Sequence, residues 1–538
     1  HVTIGEGAEL ADLSALPAGT QVGAWEAWRG SPGKKVEDID PSHLPRPAEA
    51  GPVRRMSLTA FFIAMLVIAP PIALIPIVPA FHLMEKVDAV INPIIGIHYL
   101  YYMPLLAMPA AAIMIFATVL LIAAIRWIIL PRLKAGVYSV YSGLYARKWV
   151  VSLATEVMLD VLSSLFATVY MRAWYRLMGA KIGKGSEIST NLAGRFDLID
   201  LGDQNFIADD VVLGDEEMRR GWMTLGTVKT GSRVFIGNDA VVPPGYAIAN
   251  GALIGVKSKP PEGGNVGADE TWFGSPPIQL PVRQRFNAAA SDTYEPPRRL
   301  KIARALFEGF NITLPTALFI TFATMAMEVL APSVIQKNWG TAFALCVVAS
   351  AVIAVGQLLT AAAYKWLWMG IYKPTMRPMW SWWALRTEAV AVMYWGMAGK
   401  GILDHFRGTP FLPWALRLFG TKTGKGIYMD TTDITEFDCV TIGDYAAINA
   451  NACLQTHLYE DRLMKVGRVH VGTGVSVGSG STVLYDTELG AFSKLGPLTL
   501  VMKGEAIPAG SEWYGSPAQA RSRNAGEKAS QPKRLEIA

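Results

Sequence analysis

The sequence has few cysteines and few charged residues for its length. Its 538 residues include three cysteines, and no pair has the CxxC spacing of a zinc site. This scarcity excludes a disulfide scaffold, and we predict no metal site. Only 17% of residues are charged and 51% are hydrophobic, with a mean hydropathy of +0.28. Such a composition excludes a disordered chain and is too apolar for an ordinary soluble enzyme. A net charge of +5 gives no indication of a nucleic-acid partner.

Four apolar runs are long enough to cross a lipid bilayer, which requires roughly 20 residues each. They predict two transmembrane hairpins, 56–135 and 304–372. Four prolines in the first run predict a kinked or broken helix: Pro70, Pro71, Pro76 and Pro79. Lysine and arginine cluster outside two short turns, 85–99 and 332–339, so we expect the remainder of the chain on the cytoplasmic side of the cell membrane.

Two further apolar stretches, 149–179 and 380–420, are interrupted by charged residues. Aromatic side chains mixed with arginines are typical of helices that lie in the membrane interface. We therefore predict interfacial helices in both stretches. A fifth and a sixth membrane span are the alternative.

The segments between the apolar runs repeat each other. Residues 183–185 (Gly-Lys-Gly) match 424–426 at a lag of 241 residues, and the register holds as far as 272–276 (Trp-Phe-Gly-Ser-Pro) and 513–517 (Trp-Tyr-Gly-Ser-Pro). We call 180–285 the middle copy and 421–522 the last copy, and we expect 523–538 to be a flexible tail. A shorter piece of the pattern occupies 1–35 and is called the first copy. It predicts the end of a truncated domain.

Within each copy, aliphatic residues recur every six positions. Ile236, Val242, Ile248 and Ile254 are an example. A period of six fits neither an α-helix nor a single strand. It fits a triangular parallel β-helix, in which each short strand directs one aliphatic side chain inward. A β-sandwich is the alternative.

The six-residue rhythm of the last copy is interrupted between Leu454 and Val471. Loops that leave a rigid scaffold often carry functional groups. His457 lies in this interruption and is our candidate general base, with Glu460 or Asp461 to orient or charge it. A structural surface histidine is the alternative. The candidate substrate-binding residues are Asn449, Asn451, Gln455, Glu460 and Asp461.

The hexapeptide rhythm, the looped-out histidine and the closing Gly-Ser-Pro-Ala of 515–518 resemble the hexapeptide-repeat acyltransferases. The resemblance implies left-handed parallel β-helix domains arranged as a trimer, with sites between neighbours. It also implies that His457 deprotonates an acceptor that attacks an acyl thioester. In the middle copy Glu216 stands at the position of His457, so we expect that copy to be degenerate, with an active site there as the alternative.

The alternation of these domains with membrane hairpins resembles the C-terminal region of ε-poly-lysine-synthetase-like (Pls-type) non-ribosomal peptide synthetases. That resemblance implies upstream adenylation and carrier domains, a pseudo-trimer of the three β-helix domains, and joining of amino-acid units. The acyl donor is then a phosphopantetheine thioester on a carrier, and we predict no bound cofactor. Two alternatives stay open: an acyl-CoA-dependent O- or N-acyltransferase acting on a sugar or lipid-linked acceptor, and a non-catalytic membrane scaffold or export module.

Overall fold

The computed structural model describes residues 1–192, 194–281 and 288–521. The predicted tail, 523–538, lies outside these residues. The α-helices are α1 (Pro52–Ala73), α2 (Ile77–Ile95), α3 (Met103–Ile129), α4 (Gly143–Val157), α5 (Leu159–Leu162), α6 (Val169–Met178), α7 (Arg298–Ile335), α8 (Trp339–Trp368), α9 (Trp382–Met393) and α10 (Phe411–Phe419).

Within the described residues, four helical segments are long and apolar enough to cross a membrane: Pro52–Ile94, Met103–Ile129, Arg298–Ile335 and Trp339–Trp368. The predicted break in the first run lies between α1 and α2, after Pro70 and Pro71 and at Pro76. The predicted turn at 85–99 is wrong for most of its length. Helix α2 continues to Ile95 and ends at Gly96, whose φ of 66° takes the chain out of the helix.

The β-strands belong to the three repeated copies, apart from two strands that follow the membrane helices. The first copy has Thr3–Ile4, Glu9–Leu10, Gln21–Val22, Glu26–Arg29 and Lys34–Asp38. The middle copy has Lys181–Ile182, Glu187–Ile188, Ile199–Leu201, Phe206–Ile207, Val212–Leu213, Glu217–Arg219, Trp222–Leu225, Val228–Thr230, Phe235–Ile236, Val241–Val242, Ala247–Ile248, Leu253–Ile254, Asn265–Val266, Thr271–Phe273 and Ile278–Leu280. The last copy has Lys422–Thr423, Tyr428–Met429, Val440–Ile442, Ala447–Ile448, Cys453–Gln455, His457–Glu460, Leu463–Val466, Val469–Val471, Ser476–Val477, Thr482–Leu484, Thr487–Leu489, Lys494–Leu495, Leu500–Val501, Ala506–Ile507, Glu512–Tyr514 and Gln519–Ala520.

Strands within a copy stack in parallel as successive coils. Ser476 pairs with Lys494 one coil later, so a coil holds three six-residue units. Apart from one hairpin in each copy, the described strands of the middle and last copies form three sheets each, which are the three faces of a prism. The aliphatic residues of the six-residue pattern point inward, and Ile448, Val477 and Leu495 are at most 1% exposed. Apolar burial along this column stabilises the stack of coils.

The six-residue pattern is interrupted by an antiparallel hairpin in each of the two longer copies. In the middle copy Glu217–Arg219 pairs with Trp222–Leu225, and in the last copy His457–Glu460 pairs with Leu463–Val466. A third strand joins each hairpin: Gly136–Ser139 after α3, and Thr375–Pro378 after α8. Each hairpin is therefore hydrogen-bonded to the chain that leaves a membrane-type helix.

The two stretches expected to be interfacial form α4 to α6 and, in the second case, α9, a π-helical segment (Tyr394–Gly399) and α10. They pack over the first coil of the copy that follows. Tyr175 lies 6.0 Å from Phe196, and Tyr394 lies 4.9 Å from Phe437, between ring centroids. These contacts bury the open end of each prism.

The three copies contact one another through their Gly-Ser-Pro segments, at 30–32, 274–276 and 515–517. The Ser31 backbone N–H donates to the Ser275 carbonyl at 3.4 Å, and the Ser275 N–H donates to the Ser516 carbonyl at 2.9 Å. The Ser31 hydroxyl donates to the carbonyl of Pro497 in the last copy at 3.2 Å. Each copy therefore touches the other two.

Candidate active site

The hairpin of the last copy holds His457 at its base. His457 faces Val466 across the two strands, and 17% of its side chain is exposed. The opposite end of the hairpin reaches the middle copy, where the Tyr459 ring lies 5.3 Å from the Phe206 ring. Leu458 packs with Val256 and Phe273 of the middle copy. His457 therefore lies where the last and middle copies meet.

Glu436, from the preceding coil, is the carboxylate that pairs with His457. Its Oε2 lies 2.8 Å from the imidazole Nδ1 and accepts a hydrogen bond of 2.6 Å from the Thr456 hydroxyl. Glu436 is 2% exposed and has a φ of 38°, a left-handed conformation that is strained for a non-glycine residue. No hydrogen bond to another described residue engages the second ring nitrogen of His457, Nε2.

Glu436 and His457 each stabilise the charged form of the other. Burial by itself lowers the pKa of His457, but the charge and hydrogen bond of Glu436, with the charges of Glu388 and Asp209, together outweigh burial and raise the pKa to about 9. Burial by itself raises the pKa of Glu436, but the charge and hydrogen bond of His457 hold it below its usual range. The resting pair at neutral pH is therefore imidazolium and carboxylate.

Glu388 of helix α9 forms a second carboxylate beside the histidine. The Tyr459 hydroxyl donates a hydrogen bond to Glu388 Oε1, and the Tyr459 ring lies 5.8 Å from the His457 ring. His457 and Tyr459 are two positions apart on one strand, so their side chains share a face of the hairpin. Burial raises the pKa of Glu388 to about 7, although the hydrogen bond from Tyr459 opposes this.

The middle copy contributes an acidic residue to the same junction. Asp209 is exposed, and the Ser189 hydroxyl donates a hydrogen bond to its Oδ1. The surrounding protein raises the pKa of Asp209, and the charge of His457 partly offsets this increase. The negative charges of Glu388 and Asp209 thus both act on His457 and favour its imidazolium form.

A buried ion network holds the tip of the hairpin against the middle copy. Arg462 Nη1 lies 3.2 Å from Glu187 Oε1, and Arg462 Nη2 donates to the Gly185 carbonyl at 2.6 Å. Arg304 of α7 lies 3.0 Å from the same Glu187 oxygen. Helix α7, the middle copy and the His457 hairpin therefore meet at Glu187.

The prediction that Glu460 or Asp461 orients His457 is wrong. Glu460 points to the opposite face of the hairpin, where it binds the ammonium groups of Lys465 and Lys503. Asp461 lies in the turn at the hairpin tip with a φ of 49°. Because a strand rises about 3.3 Å per residue, the tip stands roughly 13 Å from His457.

Two of the three predicted amide ligands, Asn449 and Gln455, make structural hydrogen bonds in the last copy. Asn449 donates its side-chain N–H to the Val477 carbonyl of the next coil at 2.6 Å. Asn451 occupies an exposed corner with a φ of 54°. Gln455 is buried and donates to the backbone carbonyl of His457 at 2.9 Å. Of the three, Gln455 alone contacts His457, and it does so as a support for the hairpin.

The corresponding site of the middle copy has inverted charges. At the lag of 241 residues, Arg195 replaces Glu436 and Glu216 replaces His457. Glu216 lies 3.3 Å from Arg195 Nη1 and 2.7 Å from Lys148 Nζ. Burial by itself raises the pKa of Glu216, but Lys148 holds it below its usual value. A carboxylate held ionised in this way is a poor proton acceptor.

Neither Glu436 nor Glu388 was predicted from the sequence, although the repeat carries a signal for Glu436. At the same lag, Glu436 corresponds to Arg195. A reversal of charge at two aligned positions, counting His457, marks the last copy as different.

Among the described residues, no group of three or more His, Cys, Asp or Glu side chains is arranged to hold a metal ion. An open groove of about 360 Å³ runs along the other face of the hairpin, lined in part by Lys465, Tyr485 and Lys503. Both lysines are bound by Glu460. We assign no cofactor to this groove.

Stacked triangular coils, an inserted hairpin and apolar helices together define a tandem hexapeptide-repeat protein with membrane-type helices. The chain is similar to the delta-poly-L-ornithine synthetase of Acinetobacter baumannii (strain AB307-0294), with 39% identity over 511 residues. The match covers 94% of this chain and 38% of that relative, so the chain spans less than two fifths of the relative's length. The predicted resemblance to poly-amino-acid synthetases is confirmed by this similarity.

The solved structures that match parts of this chain include two acetyltransferases. A maltose O-acetyltransferase from Clostridium difficile 630 is 16% identical with a TM-score of 0.19, and covers 28% of this chain and 94% of its own. Soybean serine acetyltransferase, without ligand, is 18% identical with a TM-score of 0.16, and covers 31% and 69% respectively. No protein-family model matches the sequence.

Proposed function

We propose that this chain is a membrane-bound aminoacyl transferase that forms amide bonds between amino-acid units carried as phosphopantetheine thioesters. The observation that carries the proposal is the Glu436–His457 pair on a hairpin at the junction of two copies. The name of the similar synthetase suggests the substrate class, a basic amino acid such as ornithine. Carrier and adenylation domains of the same polypeptide supply the thioester, and the three copies act together as a pseudo-trimer on the cytoplasmic side of the cell membrane.

In this mechanism His457 acts through Nε2. The carboxylate of Glu436 accepts the Nδ1–H and holds the ring in the tautomer that leaves Nε2 available as a base. Nε2 takes a proton from the acceptor nitrogen as it attacks the thioester carbonyl, and then gives that proton to the departing thiolate. Because only the neutral imidazole accepts a proton, we expect the rate to rise with pH towards 9.

The membrane-embedded chain can be supplied with an ornithyl carrier thioester and an amine acceptor to test this function. Replacing His457 by alanine removes the base, so we expect amide formation to fall by roughly 10²- to 10⁴-fold. The matched control is His470→Ala in the last copy, which removes an exposed histidine from the strand Val469–Val471 and should keep the wild-type rate within about twofold.

An unchanged rate in H457A, at normal expression, contradicts the catalytic proposal and leaves the scaffold interpretation. Turnover of free acetyl-CoA, with no reaction of the carrier thioester, favours instead the acyl-CoA-dependent acyltransferase. Mass spectrometry of the amide product distinguishes these results.

A further inference from the structure

Among the described residues, the Glu388 carboxylate has one hydrogen-bond partner, which binds one of its two oxygens. Its Oε1 accepts the Tyr459 hydroxyl, while no hydrogen bond or ion pair with a described residue engages Oε2. No lysine or arginine of the described chain forms an ion pair with this carboxylate. A partly buried carboxylate without a cation beside it is costly unless a ligand supplies the charge or a proton neutralises it.

Glu388 lies beside the face of the hairpin that carries His457. The Tyr459 side chain joins the two, since its hydroxyl contacts Glu388 and its ring lies edge-on to the imidazole at an interplanar angle of 81°. The charged groups that act on Glu388 from the surrounding elements are His457 of the hairpin, Asp209 of the middle copy and Arg304 of α7. Among the described residues the middle copy lacks this carboxylate, because Trp149 stands at the position of Glu388 when α4 and α9 are aligned on their capping serines, Ser142 and Ser381.

An amine acceptor needs a second base. An alkylammonium group such as that of lysine has a pKa of about 10.4 and arrives protonated at neutral pH, so its nitrogen has no lone pair for attack. One proton must leave before the C–N bond forms and another when the tetrahedral adduct collapses. A hydroxyl acceptor needs only one deprotonation, which a single histidine can provide.

We propose that Glu388 is a second catalytic base, which takes the first proton from the ammonium group of the acceptor, and that this makes the site specific for amines. This inference rests on the proposed function. The first proton passes to Glu388 and leaves the neutral amine, whose lone pair attacks the thioester carbon. The C–S bond breaks as the second nitrogen proton passes through His457 to the thiolate. Ammonium and thioester thus give amide, thiol and one proton, which Glu388 releases to water.

The pKa of Glu388 suits this task, because a carboxylate with a pKa of about 7 is half ionised at neutral pH and matches the range in which a base both accepts and releases protons. We expect the rate with an ammonium acceptor to rise with pH through about 7 as Glu388 ionises. Removing the Tyr459 hydroxyl raises that pKa further, so Tyr459→Phe should move this limb of the pH–rate profile to higher pH.

The test compares Glu388→Gln with two acceptors in the membrane-embedded chain supplied with the ornithyl carrier thioester. One acceptor is a simple alkylamine, and the other is hydroxylamine, which is already unprotonated at neutral pH. We expect E388Q to lower kcat with the alkylamine by about 100-fold and with hydroxylamine by no more than about threefold. Glu156→Gln, an exposed carboxylate on α4, is the control for loss of a carboxylate, and should keep both rates.

Three results would overturn the assignment of Glu388. These are equal losses with both amines, a higher KM with unchanged kcat, and no loss with either amine. The proposed function is checked separately by H457A, which should lose activity with both amines because both need the second deprotonation. An active H457A variant therefore rejects the proposed function, whatever E388Q does.

Discussion

At the scale of single residues, opposing effects decide the protonation state of His457. Burial disfavours the imidazolium, and the Glu436 carboxylate at 2.8 Å, together with the charges of Glu388 and Asp209, outweighs burial. The same carboxylate orients the ring. Glu436 thus affects both the protonation state of the His457 imidazole and the orientation of its ring.

Replacing Glu436 by glutamine separates these two effects. Without the carboxylate, the pKa of His457 falls from about 9 towards its ordinary value, so the upper limb of the pH–rate profile should move to lower pH. The plateau rate should also fall, on the order of 100-fold, because an amide can hold the wrong tautomer. The pH dependence of kcat measures both. An upper limb that stays near pH 9 contradicts the assignment of Glu436.

At the scale of elements, buried ion pairs join the membrane-type helices to the β-helices. Lys365 of α8 lies 2.7 Å from Asp438 of the last copy, and Asp438 also accepts the Tyr372 N–H at 3.0 Å. Arg126 of α3 and Asp197 repeat the arrangement for the middle copy at 2.5 Å. Both cationic side chains are fully buried, so the aspartate beside each one offsets the cost of burying its positive charge.

Asp438→Asn should destabilise the protein strongly, because it leaves the Lys365 charge buried without its partner. Removal of one member of a buried pair costs about 3–5 kcal/mol, whereas replacement of both by apolar groups is often neutral. We therefore expect a lower midpoint of thermal unfolding in detergent for D438N, and recovery of most of the loss in the K365M/D438N double variant.

A double variant as unstable as D438N alone contradicts this account. It would mean that the carboxylate acts mainly through its hydrogen bond to the Tyr372 backbone and not through the charge of Lys365.

At the scale of the whole molecule, close backbone contacts bring the three copies together. Gly274 has a φ of 90°, and a Cβ atom added there would lie 2.4 Å from the Ser516 carbonyl oxygen of the last copy. A Cβ added to Gly515 would lie 2.8 Å from the Ser31 carbonyl oxygen of the first copy. Glycine is therefore required where the copies meet, both by backbone conformation and by space.

Gly274→Ala should weaken the contact between the middle and last copies. Gly245→Ala is a matched control, since Gly245 has a φ of 89° but no atom within 4 Å of the added Cβ. Backbone strain is then common to both variants, and the clash is present in G274A alone. We expect faster limited proteolysis and a greater loss of transferase activity in G274A. Equal behaviour of the two variants shows that the contact contributes little.

The sequence predicted the repeated units well, because their periodicity follows directly from the geometry of a coil. The six-residue spacing of Ile448, Leu454 and their equivalents reports which side chains point inward. The proline-rich break before α2 could also be predicted from local chemistry. The extent of α2 could not, since residues 85–95 are less apolar than a span and remain helical through contacts with α3.

The candidate site was predicted only in part. His457 stands out as a histidine in the one interruption of the last copy's rhythm, so its position needed no tertiary information. Its partners come from a different coil and from a helix: Glu436 is 21 residues earlier and Glu388 is 69 residues earlier. Nearness along the chain favoured Glu460 and Asp461, but strand alternation turns Glu460 away and the turn carries Asp461 to the tip.

What the sequence determined by itself is the set of building units: apolar helices, six-residue coils, and one interruption of the coils that carries a histidine. Each depends on local spacing, which a chain displays whether or not it is folded. What the tertiary structure decided is which charges meet. The pairing of His457 with Glu436, the approach of Glu388 and Asp209, and the ion pairs beneath the membrane-type helices all join residues from separate elements. Electrostatic free energy depends on distance and burial, and those two quantities exist only after the elements have packed.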